Sequence, residues 1–308
     1  MPRVNRFTRC VAQAVEQAEI RGTALSVGRS LLAFATLATI LFSADSALFV
    51  QTNEHPLGMR CGGIRAVSMW CATGGSDTGL VLCRVMAVVV LVVVLAGFRP
   101  RWTCIPHWYV TFSLASAMPI PNGGDNVAQI AALLLVPMCL GDHRRWQWEA
   151  VVGQLTPSWR GSALAAHFVL RVQIVIVYAT AVWWKLADPL WQQGSAMHVI
   201  SRIPQFGFPA PLREALGPLL DSYWPVALLS WSIIAGQVAI AMSVLARRRF
   251  RVLGLVLGVV LHGGIIFLMN LMSFGLIMIA VLLVASARTT RTTRIAQPGV
   301  ELTERISS

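Results

Sequence analysis

Eight apolar runs divide the chain, near residues 29–50, 79–98, 105–120, 126–141, 163–186, 222–246, 252–269 and 271–287. A bilayer's hydrocarbon core is about 30 Å thick and an α-helix rises about 1.5 Å per residue, so a run of roughly 17–25 apolar residues is a helix that can span it. Lipid offers the backbone no hydrogen-bond partners, and a helix satisfies its own. Composition agrees, because only 12% of the residues are charged and 56% are apolar, against about 25% charged in soluble domains. The expected fold is all-α, a polytopic transmembrane bundle of about eight spans. The third run is short and weak. The seventh and eighth nearly fuse, with Asn270 as the turn.

Arginine placement orients the bundle. Arg3, Arg6, Arg9, Arg21 and Arg29 precede the first run; Arg99 and Arg101 follow the second; Arg144, Arg145 and Arg160 follow the fourth. Arg247, Arg248, Arg249 and Arg251 follow the sixth, and Arg288, Arg291 and Arg294 follow the last. With eight spans every cluster falls on one side, so both termini are expected in the cytoplasm. The formal charge of +12 is therefore a topology signal, and no nucleic-acid partner is implied. The segmentation read this way is a basic N-terminal segment over 1–28, a membrane domain over 29–287 and a polar, disordered tail over 288–308. Residues 1–20 have the composition of an amphipathic helix on the inner membrane surface. The alternative for the first run is a cleaved signal peptide, since small residues follow its apolar core.

The side opposite the arginine clusters holds the unusual residues. Six cysteines show no metal-ligand spacing, and no metal site is expected. Cys61 and Cys71 share one external Gly-rich loop, where a disulfide can persist; the alternative is two packed thiols. In "PIPNGGDNVAQI", Asp125 and Asn126 stand where a helix N-cap is needed, or else face an outer cavity. Arg84 and Arg171 interrupt apolar runs and His167 lies near the end of one; structural roles suit Arg84 and His167, and Arg171 is expected to pair with a carboxylate or with helix-end carbonyls. His262 sits mid-run before Gly263 and Gly264, small residues that permit close packing. Ionisable groups in a membrane are functional candidates by default. Lys185 is the one lysine beside 24 arginines. At a helix end it can complement the dipole and pair with Asp188. Unlike Arg, it can also lose its proton when desolvated and serve as a base. Both readings stand.

Residues 178–197, "YATAVWWKLADPLWQQGSAM", resemble a Lys-Leu…Trp…Gly-small segment of the horizontally transferred transmembrane (HTTM) domain, the membrane part of vitamin K-dependent gamma-glutamyl carboxylases. The run "AGQVAIAMSVLARRRFRVLGLVLGVVLHGGIIFLMNLMSFGLIMIAVLL" resembles that domain's later helix pair. A fuller resemblance, over about residues 27–287, is to the bacterial sporulation-delaying protein B family; it rests on "VGRSLLAFATLATILF", the cysteine loop, "PNGGDNVAQIAALLLVPMCLGDHRRWQW" and the lysine segment. The resemblance implies a multi-pass protein of the bacterial plasma membrane that acts beside a partner protein to mature an exported antimicrobial peptide toxin from its precursor. The resemblance to the carboxylases implies that Lys185 occupies the position of their base, which acts on a quinone-like ligand. The assisting histidine of the carboxylases is replaced here by "GGDN", a later Glu position carries Gln237, and the carboxylases' soluble domain does not follow the last run.

Two functions are carried forward. In one, Lys185, Asp188 and Trp191 line an external pocket with Asp125 and Asn126, closed from within by His262, and the site does chemistry. In the other, the protein is a non-enzymatic scaffold, chaperone or conduit for the precursor. A transporter or immunity protein fits less well, because there is no inverted repeat and no chain of intramembrane carboxylates.

Overall fold

A computed structural model describes residues 12–291 apart from positions 14, 17, 57, 288 and 289. Arg3, Arg6, Arg9, most of the stretch over 1–20 and the tail beyond 291 lie outside the described residues. Eight helices of at least 15 residues make the fold: α1 (Thr23–Phe42), α2 (Asp77–Ala96), α3 (Pro100–Ala117), α4 (Gly123–Cys139), α5 (Pro157–Ala187), α6 (Tyr223–Val244), α7 (Arg248–Met269) and α8 (Met272–Ser286). Each coincides with one apolar run. Five of them, α1, α2, α5, α6 and α7, are long and apolar enough to cross a membrane, so this is an all-helical membrane protein. α4 and α8 are apolar but shorter, and α3 carries Pro106 inside it.

α8 is apolar on every face, and a helix of that kind belongs in the middle of a bundle. It packs on α1, α4, α5 and α7 and buries Ala280, Val281, Leu282, Val284 and Ala285 almost in succession. α2, by contrast, buries one stripe, Cys83, Ala87, Leu91 and Val94, and turns Val81, Leu82, Val85 and Val89 outward. Between α7 and α8 the turn is Asn270, at φ 53°, a left-handed conformation that Asn tolerates better than most residues.

α1 starts earlier and stops earlier than its apolar run, at Thr23 and Phe42. Arg29 therefore lies inside the helix and is 1% exposed, instead of on the basic segment before it. Gln147 makes this tolerable: its Oε1 accepts from Arg29 Nη1 at 2.9 Å, and its Nε2 donates to Ser30 Oγ at 2.7 Å. Gly28 lets α1 approach α8 closely, since a Cβ there would strike Val284 and Ala280. The first helix is thus built into the core.

Arg84, Arg171 and His167 are taken up by helix ends. Arg84 donates to the carbonyls of Ile40 and Ser43, at the end of α1, and to the Asp45 carboxylate. Arg171 donates to Ala285 O at 2.9 Å and Ala287 O at 3.4 Å, and His167 Nε2 lies 2.9 Å from Val284 O, so both serve the end of α8. The last carbonyls of a helix lack intrahelical partners and attract cations. A two-residue strand, Ala18–Glu19, pairs with Thr290–Arg291 and brings the two ends of the described chain together.

Candidate functional site

α5 ends where Asp188 precedes Pro189, because a residue before proline is driven out of the helical conformation. The Asp188 carboxylate accepts from Leu190 N at 2.8 Å and caps the short helix Pro189–Gln192. That role takes it away from Lys185, and the expected Lys185–Asp188 ion pair is absent. Among the described residues no ion pair includes Lys185. Its half-buried ammonium lies 5.1 Å from the centroid of the Trp191 ring, a cation–π contact, with Ala181 O at 3.5 Å. Trp191 is 8% exposed and is held from α6, whose Trp231 Nε1 donates to its carbonyl at 3.2 Å. Trp183 and Trp184 point outward on the same turn of helix.

Tyr178, Val182 and Lys185 recur at helical spacing, so Tyr178 sits on the face of Lys185, about 10 Å deeper along the axis. Its hydroxyl lies 2.7 Å from His262 Nε2 on α7. The imidazole is 2% exposed, meets the Phe274 ring edge-on at 5.5 Å, and its Nδ1 has no partner. Gly263 and Gly264 do not supply the close packing expected of them: a Cβ at either meets nothing within 4 Å. Each residue turns the helix about 100°, which carries them off the face of His262. The close approaches on α7 are at Gly254, against Ser243, and at Gly258, against Leu282.

The helix cap of α4 is Asn122, whose Oδ1 accepts from Asp125 N at 3.0 Å. Asp125 is therefore inside the first turn and not its cap. It is 3% exposed and its Oδ2 has no partner. This turn packs on Phe274, since a Cβ on Gly124 would lie 3.0 Å from Phe274 Cα. The same phenylalanine touches His262, so a continuous path of contacts links the Asp125 turn, Phe274, His262 and Tyr178. Lys185 belongs to this path through α5 alone. Asn126 is exposed and accepts from Gln129 Nε2 at 3.2 Å. Gln237, on α6, is 9% exposed with Oε1 unpartnered, and it touches none of the others by a hydrogen bond. Asp125 Oδ2, His262 Nδ1 and Gln237 Oε1 are thus three of nine buried side-chain atoms without a hydrogen-bond partner among the described residues. No group of three metal-ligating side chains occurs among the described residues.

Cys61 and Cys71 are joined by a disulfide across a separation of 10 residues. Arg60 N donates to Ala117 O at 2.9 Å, and Trp70, fully buried, packs on Phe49 at 5.3 Å, so the loop is fastened to the ends of α1 and α3. Tyr178 was not among the residues singled out from the sequence. Its spacing of seven from Lys185 marks the shared face, but nothing in the sequence marks His262 as its partner.

The chain is 28% identical over 257 residues to sporulation-delaying protein SdpB of Bacillus subtilis (strain 168), covering 83% of this chain and 78% of that protein. It is 27% identical over 259 residues to the uncharacterized protein YitO of the same organism, covering 83% and 82% respectively. No protein-family model matches the chain, and no solved structure matches it. What the comparisons establish is similarity to SdpB and YitO along most of each chain.

Proposed function

We propose that this chain is an eight-span protein of the bacterial plasma membrane, with both termini in the cytoplasm, that takes part in maturing an exported sporulation-delaying-type peptide toxin. The observation that carries the role is the similarity to SdpB along 83% of the chain. The even span count is supported by the pairing of Ala18–Glu19 with Thr290–Arg291, and with that count every arginine cluster falls on one side. The membrane domain, of the HTTM type, runs from the start of α1 at Thr23 to the end of α8 at Ser286, and the segments on either side of it are cytoplasmic. Its partners are the bilayer, the toxin precursor and a second protein of the same production system.

Lys185 is the working group of this proposal. An ammonium half-buried on an aromatic face and paired with no carboxylate can act as a base once deprotonated, or hold an acidic or quinone-like ligand as a cation. Asp125 and His262 supply the interior polar wall of that outer region, with Asp188 and Trp191 shaping its rim. A second reading has its own support. His262 is engaged by Tyr178 and shares no contact with Lys185, an arrangement that serves a scaffold or conduit without chemistry.

The intact mass of the secreted peptide, made with wild-type, Lys185→Ala or Lys185→Arg protein, tests both. A base predicts that Ala and Arg each abolish maturation. An anchor predicts that Arg largely preserves it. Peptide of unchanged mass and yield from Lys185→Ala would remove Lys185 from either role and leave the scaffold.

A further inference from the structure

The Arg-rich loops build a second site, away from Lys185. After α2 the chain passes through Gly97, Phe98 and Arg99; after α4 it returns through Arg145, Trp146 and Gln147. The two loops are laced together: Phe98 and Trp146 form an antiparallel bridge, Arg99 N donates to Arg145 O at 2.8 Å, and Gln147 N donates to Gly97 O at 2.8 Å. Arg99 is held at φ 39°, a conformation costly for a residue with a side chain unless its surroundings impose it. Beneath the loops the buried Gln147–Arg29 network forms a rigid floor.

Between the loops is a cavity of about 250 Å³ lined by Arg99, Arg101, Arg144 and Arg145 with Trp102, His143 and Asp142. The buried Asp142 carboxylate is taken by Arg144, at 2.6 Å and 2.9 Å. Arg101 Nη1 lies 3.1 Å from His143 Nδ1, a partner without negative charge when neutral. Arg99, Arg101 and Arg145 enter no ion pair among the described residues. Three exposed guanidiniums without a carboxylate partner among the described residues thus border one small cavity, a concentration of positive charge that attracts an anion. Guanidinium forks match the oxygens of phosphate two at a time. Around the cavity Trp102 is 67%, Trp148 51% and Trp146 38% exposed. Exposed tryptophans gather at the headgroup level of a membrane.

We propose that this cavity binds a phosphate group, of the kind carried by an anionic phospholipid headgroup or by a free phosphate ion, and that Arg99, Arg101 and Arg145 are its ligands. The test is native mass spectrometry of the full-length protein, delipidated and then exposed to phosphatidylglycerol, phosphatidylcholine or inorganic phosphate. The expected result is preferential retention of phosphatidylglycerol, of inorganic phosphate, or of both. Retention of the lipid that phosphate cannot displace identifies the headgroup as the source; retention of phosphate that also displaces the lipid identifies the free ion. Arg101→Gln, at an exposed position, should weaken binding about tenfold, since one charge-assisted contact is worth about that factor. The triple variant Arg99→Asn, Arg101→Gln, Arg145→Gln should abolish it, Asn being chosen because it tolerates the left-handed conformation. Removing the same charge elsewhere, with Arg247→Gln, Arg248→Gln and Arg249→Gln, should leave affinity within about twofold, because none of the three lines the cavity and salt screens exposed charges that make no direct contact. Equal loss in both triple variants, equal retention of phosphatidylcholine, or no adduct with any probe overturns the proposal.

Discussion

Replacing Tyr178 with Phe removes a single hydroxyl, but its partner cannot turn to water. The Tyr178 hydroxyl and His262 Nε2 are 2.7 Å apart, and the two residues are 1% and 2% exposed. His262 Nδ1 already lacks a partner, so the variant leaves an imidazole with neither nitrogen satisfied. An unsatisfied buried polar group costs about 1–3 kcal/mol. Side-chain hydrogen bonds inside membrane proteins are worth less, about 0.6 kcal/mol on average and about 1.7 at most, because the unfolded chain also finds partners in the membrane. The absence of a second partner places this pair towards the upper limit, about 1.5 kcal/mol. Replacing both residues with apolar ones leaves no orphan, so Tyr178→Phe combined with His262→Leu should cost less than the two changes summed, by about 1–1.5 kcal/mol. Equilibrium unfolding in mixed micelles titrated with dodecyl sulfate measures all four corners of the cycle. Costs that add to within about 0.5 kcal/mol would show that the hydrogen bond carries no coupling, and the contact path through Phe274 would lose its polar end.

Cys61→Ser should lower unfolding free energy by about 2.7 kcal/mol, the chain-entropy value for closing a loop of this length; reduction of the wild type should reproduce the loss, and a variant as stable as the oxidised wild type would show the loop needs no staple. Gln147→Leu leaves the Arg29 guanidinium, 1% exposed, with Thr103 Oγ1 as its remaining side-chain hydrogen-bond partner among the described residues. Losing a buried hydrogen bond to a charged group costs about 1.5–3 kcal/mol. Adding Arg29→Met should recover part of that in the same micelle assay, and no recovery would refute the role given to Gln147.

The helices and their order were legible because apolar runs of spanning length report directly on the solvent that surrounds them. Asn270 was legible as a turn for the same local reason, a polar break between two apolar runs, and its left-handed backbone suits Asn. Side-chain partners were less legible. Asp188 and Lys185 have helical spacing, yet Pro189 breaks the helix between them and makes Asp188 a cap. Gly263 and Gly264 follow His262 in the chain but not in space, and Asn122 took the capping role open to Asp125. In each case a neighbour in sequence was displaced by a competing local rule or by the turn of the helix.

The sequence alone therefore determined the class of fold and the helix order, since these depend on how many apolar residues occur in a row. The tertiary structure alone decided that Tyr178 meets His262 across a separation of 84 residues, that Arg29 is enclosed, and that two loops close a basic cavity. Those outcomes depend on the angle at which each helix presents its faces and on which helix lies opposite. Lipid exerts no preference among apolar faces, so close packing and the pairing of the few buried polar groups make that choice.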